Sequence, residues 1–458
     1  MRDRSSRTEP GDLLTNAAAG GSPAPAGAPL SEPFAFSRAL GMLSAELLEA
    51  ELQARGLPAG EASRLARHAA GRAVLLEGVS AAPARELHQR ARAVGGDAVV
   101  TPSAYAGSEA PPDAMDVVLL GSQAQLEALA ERLDVAVDGP SMALAGAIRR
   151  ALARAEWRPR TLRLGAYELD LSRRVAVMGI LNATPDSFYA AGRYTDPEAA
   201  IEHGLRLVEE GADLIDVGGD SANGRAAPID AAEEIRRVVP VIRGLARQAR
   251  VPVAVDTHRA ATAAAALDAG ASMVNDITGL GDPEMAPTVA RGTAGLCVMH
   301  IKGRPKEFPP DFEYRSLLGD VLRFLAERTR RALEHGIGAD RLVVDPGIEF
   351  GKVLSQDLEL LRRLPELHVL GYPVLVAVSR KDFIGNVLGL PPEERLEGTA
   401  AAVAFAIVRG ARIVRVHDVR AMARVARMTE ALLGDRFRRE DGRIRSDGTV
   451  VGGRVSGQ

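Results

Sequence analysis

At 458 residues the chain is long for one barrel and comfortable for a barrel plus a smaller domain, and its 46% apolar content suffices for a sizeable core, which excludes disorder throughout. Lys and Arg total 57 against 60 for Asp and Glu, a net charge of -3, so no global basic field exists to hold a nucleic-acid backbone as a partner. The single cysteine, Cys297, excludes an internal disulfide and a cysteine zinc knuckle; with no apolar leader and no apolar run longer than Ala400 to Val408, the chain reads as cytoplasmic with no membrane partner.

Residues 1–36 are rich in Ala, Gly, Pro and Ser and read as a disordered N-terminal tail. Residues 37–164 read as a small α/β domain. It starts with a helix over 39–55, where Leu40, Met42, Leu43, Leu47, Leu48 and Leu52 recur at helical spacing before Gly56. Strand-like runs follow at 73–78, 97–102 and 116–122, with helices through Glu86 and Ala91 and over 123–133. His68 and His88 stand isolated and no Gly-rich phosphate loop follows a strand, so a packing or assembly role is expected.

Residues 165–435 alternate short β-branched runs with helical segments. The runs are 174–181, 212–219, 252–257, 273–278, 295–300, 341–347, 373–379 and 413–419; helices are expected near 197–210, 230–248, 259–269, 283–291, 317–335, 355–364, 393–409 and 420–433. Eight strand–helix pairs in this length match an α/β fold, a (β/α)8 TIM barrel preceded by the small α/β domain. A doubly wound open sheet is the alternative, but no Gly-x-Gly-x-x-Gly follows the first strand. Residues 436–458 read as a flexible C-terminal tail.

The loops after barrel strands converge on one mouth. The strand ends here offer Asn182, Asp216, Asp256, Thr257, Asn275, Asp276, His300, Asp345, Ser379, Arg380, Lys381, Arg415 and His417. Any one acid could merely cap the next helix; nearly every strand contributing a polar group makes that a poor reading of the set. Asp256 and Asp345 suit a flat ligand with several N–H donors, because ionised carboxylates only accept, and Asn275 can both donate and accept. Arg380, Lys381, Arg415 and His417 fall on the seventh and eighth strands, where such barrels often bind phosphate. The ligand implied is a donor-rich heterocycle carrying a phosphate or diphosphate.

MGILNATPDSF (178–188), DVGG (216–219), VDT (255–257), NDI (275–277), MH (299–300), DPGIEFGK (345–352), SRKDFIG (379–385), ERLEGT (394–399) and RVHDV (415–419) together resemble dihydropteroate synthase, in the family's order and spacing over about 260 residues. The resemblance implies condensation of (7,8-dihydropterin-6-yl)methyl diphosphate with 4-aminobenzoate. It implies catalytic roles for Asp256, Asp345 and Lys381, a pterin site of Asp256, Asn275, Asp345, Lys381 and Arg415, and a diphosphate site of Asn182, Arg415 and His417. It further implies that Phe350 and Ser379 border the aminobenzoate, that Asn182 and the diphosphate share a Mg2+ ion, and that the chain forms a homodimer.

Two loops depart from the family pattern. After the first strand Ser187 and Phe188 are followed by Tyr189, Ala190, Ala191 and Gly192, losing the usual acid; after the second, GGDSANGR (218–225) replaces GGESTRPG, with Arg225 two residues beyond the usual arginine. Glu349 stands where glycine is usual, and Ala377 and Val378 precede SRK without the usual Thr or Ser. A pterin-binding paralogue, with a different arylamine or without synthase activity, is the alternative. A metal-dependent barrel hydrolase lacks its His-x-His pair, and a Schiff-base aldolase lacks a desolvated lysine within a strand.

Overall fold

The computed structural model describes residues 49, 53, 58–63, 71–103, 111–135, 139–155, 161–172, 174–183, 196–220, 229–305, 313–433, 437–440 and 443–446. The expected tail over 1–36, most of the helix over 39–55 and the two altered loops, 184–195 and 221–228, lie outside them. The chain divides into two compact units, residues 1–70 and 71–458.

The second unit opens with β1 (Gly71–Ser80), α1 (Ala81–Ala93), β2 (Asp97–Pro102), β3 (Ala114–Ser122), α2 (Gln123–Asp134) and α3 (Gly139–Ala155). The strands form an antiparallel sheet in the order β1-β3-β2. Alternation decides which face is covered: Val74, Leu76, Val117 and Leu119 are buried against Leu87, Leu126, Leu129 and Ile148 of the helices. The Ser-x-x-Gln sequence at Ser122 closes a capping box with Gln125 and starts α2. The helix α3 was not expected from the sequence.

A hairpin of β4 (Thr161–Leu164) and β5 (Tyr167–Asp170) leads into the barrel. Leu162 and Leu164 are fully buried with Met178, Leu214, Ala254, Met273, Val343 and Leu375 of the barrel interior, so the hairpin straddles the boundary placed between 164 and 165 and its first strand packs with the barrel. Gly295 makes room for it, since a Cβ there would lie 2.3 Å from Leu164 Cδ2.

The barrel strands are β6 (Ala176–Asn182), β7 (Leu214–Gly218), β8 (Val253–Asp256), β9 (Met273–Asp276), β10 (Gly295–Met299), β11 (Leu342–Asp345), β12 (Leu375–Ala377) and β13 (Ile413–Val416). They are parallel in the order β11-β10-β9-β8-β7-β6-β13-β12, and a Val344–Val374 bridge closes the ring, with the Val344 N–H donating to Pro373 O at 3.0 Å. The helices are α4 (Pro197–Glu209), α5 (Ala231–Gln248), α6 (Ala260–Asp268), α7 (Met285–Ala290), α8 (Leu317–Glu334), α9 (Leu354–Arg362), α10 (Asp382–Leu388), α11 (Leu396–Val408) and α12 (Val419–Leu432). All eight expected helices are present within a few residues, and α10 is additional. Asp196, Asp230 and Ser316 start α4, α5 and α8 by accepting hydrogen bonds from backbone N–H groups of the first turn.

Alternate strand residues have opposite fates. Val177, Val217, Val255, Val274, Val298, Val344, Val376 and Val414 pack outward against the helices, whereas Met178, Leu214, Ala254, Met273, Cys297, Val343, Leu375 and Ile413 fill the interior. Within this second unit α3 packs against residues 364–370 of the barrel, and Arg323 of α8 pairs with Glu77 at 3.6 Å. Within residues 436–458, expected as a flexible C-terminal tail, β14 (Phe437–Glu440) pairs antiparallel with β15 (Arg443–Ser446). The intervening Asp441-Gly442 dipeptide is a strong hairpin signal that composition alone does not reveal. Among the described residues no helix is long and apolar enough to cross a membrane.

Candidate active site

Sheet register sets the site. It aligns Asn182, Gly218, Asp256 and Asn275 as neighbours across β6 to β9, at the carboxyl ends of those strands. Continuing the inward alternation places Asp216, Asp345, Ser379, Arg415 and His417 on the interior parity of their own strands or strand extensions. A Cβ at Gly218 would meet Asp256 Oδ2 at 3.7 Å and Asn182 Oδ1 at 3.8 Å, so this glycine keeps open the space between two ligand-binding candidates.

Arg415 organises the floor. Its Nε donates to Asp216 Oδ2 at 2.6 Å and its Nη2 to Asp256 Oδ2 at 2.6 Å. Asn275 Nδ2 also donates to Asp216 Oδ2, at 3.0 Å, which leaves the amide oxygen and a second N–H for a ligand. Asp216 is fully buried, and its Oδ1 has no partner among the described residues. Burial works against the charge of Arg415, but Asp216 and Asp256 outweigh it and hold the group above the ordinary arginine range. Two acids share one guanidinium, and Asp256 carries the consequence. Burial first, then the nearby charges of Asp216, Glu234 and Asp276, push it up to about 7 against the opposing pull of Arg415.

That position has a measurable result. If Asp256 accepts the N–H groups of a pterin, as the family resemblance implies, it must be ionised to do so; below about pH 7 it must first lose a proton, and affinity for a pterin should then fall as pH drops, by up to about tenfold per unit. Above 7 the affinity should level off. Calorimetric titration between pH 5.5 and 8.5 checks this; a flat profile contradicts it.

Asp345 ends β11 and is buried, with Oδ1 accepting from the Gly347 N–H at 2.7 Å; burial raises its pKa. The loop after it is pinned by Lys352, whose buried Nζ lies 2.7 Å from Gly347 O, 3.0 Å from Phe350 O and 3.0 Å from His300 Nδ1. Burial lowers Lys352 to about 7, and burial with the Lys352 charge lowers His300 to about 2. His300 is therefore a neutral acceptor in a structural lock. Lys381 donates to Ile348 O at 2.6 Å, and its ammonium sits 4.8 Å from the centre of the Phe350 ring.

Of the cations expected to gather on the seventh and eighth strands, Arg380 is committed to other partners. Arg380, in a left-handed backbone conformation (φ 56°), turns away to a two-pronged ion pair with Asp418 at 2.7 and 2.9 Å and to Pro392 O and Glu393 O at 2.8 Å each. His417 is held low, to about 4, by burial and Arg415, so it is a neutral imidazole at physiological pH. Its Nδ1 and backbone N both lie 3.2 Å from Ser379 Oγ. Arg415 keeps Nη1 without a hydrogen bond among the described residues. Asp276 and Thr257 are local caps: Asp276 accepts from Thr278 N and Oγ1 and from Leu280 N, and Thr257 Oγ1 accepts from Arg259 N.

The structure thus brings Asp256, Asn275 and Arg415 together through Asp216, with Asn182 beside Asp256 across Gly218; Asp345, Phe350 and Lys381 form a linked group from the sixth and seventh strands, and Ser379 meets His417. Sequence reasoning counted Asp216 among the polar groups of the mouth but assigned it no role, because it lies in mid-strand. The signal was its parity, two residues before Gly218. Lys352 was read only as part of a motif.

The family described as pterin binding enzyme matches residues 178–417. The dihydropteroate synthases of Synechocystis sp. and Bacillus subtilis are 42% and 43% identical over 60% and 58% of this chain and 96% and 91% of their own length. The chain belongs to the dihydropteroate synthase family. Among solved dihydropteroate synthases, that of Xanthomonas albilineans with 4-aminobenzoic acid is similar at 42% identity and a TM-score of 0.55, covering 60% of this chain and 99% of that one. The same organism's dihydropteroate synthase in complex with 7,8-dihydropteroate gives 40% identity and 0.52, over 59% and 98%. A Haloferax volcanii protein named as a probable bifunctional folylpolyglutamate synthase/dihydropteroate synthase is 40% identical over 79% of this chain, more than residues 161 onward can supply, so its likeness reaches into the small α/β domain; this chain spans 43% of it.

Proposed function

We propose that the chain is a dihydropteroate synthase, the transferase of folate biosynthesis that joins (7,8-dihydropterin-6-yl)methyl diphosphate to 4-aminobenzoate. The observation that supports this best is the Asp256–Arg415–Asp216–Asn275 network at the barrel mouth, with Asp345 on the same interior parity. Acceptors at Asp256, Asn275 and Asp345 take the ring's N–H edge, Arg415 and Lys381 border it, and Phe350 and Ser379 place the aminobenzoate.

In the reaction the bond between the methylene carbon and the diphosphate oxygen breaks, both electrons leaving with pyrophosphate. The carbon, its positive charge spread into the dihydropterin ring, forms a C–N bond to the arylamine, whose surplus proton passes to solvent. Ionised Asp256 and Asp345 favour the cation as it develops, and preorganised charge of this kind commonly lowers such barriers more than any other effect. Arg415 Nη1, neutral His417 and Asn182 hold the leaving group. Asn182 would share a Mg2+ ion with the diphosphate, since a hard cation takes few protein oxygens when phosphate supplies the rest. The ion neutralises diphosphate charge when bound. No general base of unusual strength is required, since the arylamine attacks a cation.

We also place the protein in the cytoplasm, and as a homodimer through the outer ring, where Val387, Leu388, Phe405, Val408, Met428 and Leu432 are 43–76% exposed. Sedimentation at the monomer mass at micromolar concentration would remove the dimer. The function itself is tested by incubating purified protein with the pterin diphosphate and 4-aminobenzoate. Dihydropteroate above background is expected; tight pterin diphosphate binding without product would favour the paralogue.

A further inference from the structure

Glu349 occupies a backbone conformation that glycine adopts freely and glutamate does not, at φ 70°. Its side chain is turned to a specific use. Oε1 accepts the Phe383 N–H at 2.5 Å, at the start of α10, while its own N–H donates to buried Asp357 Oδ1 at 2.7 Å. The two neighbours of Glu349 are tied across the same gap: Ile348 O accepts from Lys381, and the Phe350 ring lies under the Lys381 ammonium. Three successive residues of the loop after β11 therefore meet the segment after β12, at Lys381 and Phe383.

We propose that Glu349 is a positioning residue that latches the loop over 346–353 to the start of α10, and so fixes the Phe350–Lys381 wall against which the arylamine is placed. The inference rests on the synthase reading and deepens it. A glycine at 349 would relieve the backbone but lose the side-chain tie to Phe383, leaving Lys381 as the direct link among these three. The carboxylate is partly buried, which raises its pKa, with Lys381 and the Phe383 N–H opposing. Glu349 thus carries both a backbone and a desolvation cost at the point where its side chain makes the tie to Phe383. Asp345, three residues earlier than Ile348, is fixed separately through Gly347 and the Lys352 lock, and Lys381, which borders the ring, keeps its bond to Ile348 O without Glu349, so the acceptors of the pterin edge do not depend on the latch.

The test uses Glu349→Gly, which removes strain and latch together, and Glu349→Gln, which keeps an acceptor for the Phe383 N–H. In the full-length enzyme Glu349→Gly should raise KM for 4-aminobenzoate about tenfold, the scale of one lost ordering hydrogen bond, with kcat and pterin diphosphate affinity close to wild type. Glu349→Gln should restore most of the KM. Hydrogen exchange supplies a readout independent of turnover: segments 346–353 and 381–385 should exchange faster in Glu349→Gly and not in Glu349→Gln, with β7 and β8 unchanged. An unchanged KM in Glu349→Gly, or parallel loss of pterin affinity, overturns the proposal. If wild type makes no dihydropteroate, the synthase reading fails instead, and unchanged exchange in Glu349→Gly still refutes the latch.

Discussion

Asp256→Ala is expected to abolish measurable binding of the pterin diphosphate. Charge-assisted hydrogen bonds to a carboxylate contribute about 1.5–3 kcal/mol each, so losing two of them from the ring edge lowers affinity by at least about a hundredfold. The substitution should not cost the fold, because Arg415 keeps its bond to Asp216 and Asp256 is a fifth exposed. Removing one of two acids that share a single guanidinium also relieves like-charge repulsion. Calorimetry on the variant, with its melting temperature beside that of wild type, separates the outcomes. Unchanged affinity removes Asp256 from the site, and a collapsed melting temperature would show that the carboxylate is structural.

Arg415→Met should have the largest effect on stability. It strips the cationic partner from Asp256 and from Asp216, which is fully buried, keeps only Asn275 Nδ2 at Oδ2 and has no partner for Oδ1 among the described residues. Breaking a buried ion pair by removing one member costs about 3–5 kcal/mol, because the remaining charge stays in low dielectric. At roughly 2–4 °C per kcal/mol for a domain of this size, the melting temperature should fall by about 10 °C. The double variant Arg415→Met, Asp216→Asn removes the stranded charge and should recover a large part of that loss. Thermal unfolding at pH 7.5 decides it, and a fall under about 2 °C in the single variant would mean that water or a proton compensates the acids.

The barrel was legible because β-branched runs and helical segments alternate eight times at regular spacing, a pattern with few other solutions. The residues proposed for the pterin edge could be picked out because they close their strands. What escaped depended on side-chain direction. Asp256 and Thr257, or Asn275 and Asp276, are adjacent in sequence and point to opposite sides, one of each pair toward the interior and one into a cap. Arg380 and Lys381 divide likewise: a left-handed turn at Arg380 commits it to Asp418 and leaves Lys381 for Ile348 O, so consecutive cations do not make one phosphate site. The hairpin over 161–170 was missed because its strands are four residues each, and only packing of Leu162 and Leu164 under the barrel assigns its first strand there.

The most direct measurement is a crystal structure with 7,8-dihydropteroate bound. The ring edge should lie within hydrogen-bond distance of Asp256, Asn275 and Asp345, with Arg415 beside the ring and the benzoate end toward Phe350. A product seated elsewhere, or one that leaves Asp256 and Asp345 untouched, would contradict a pterin site built from these strands.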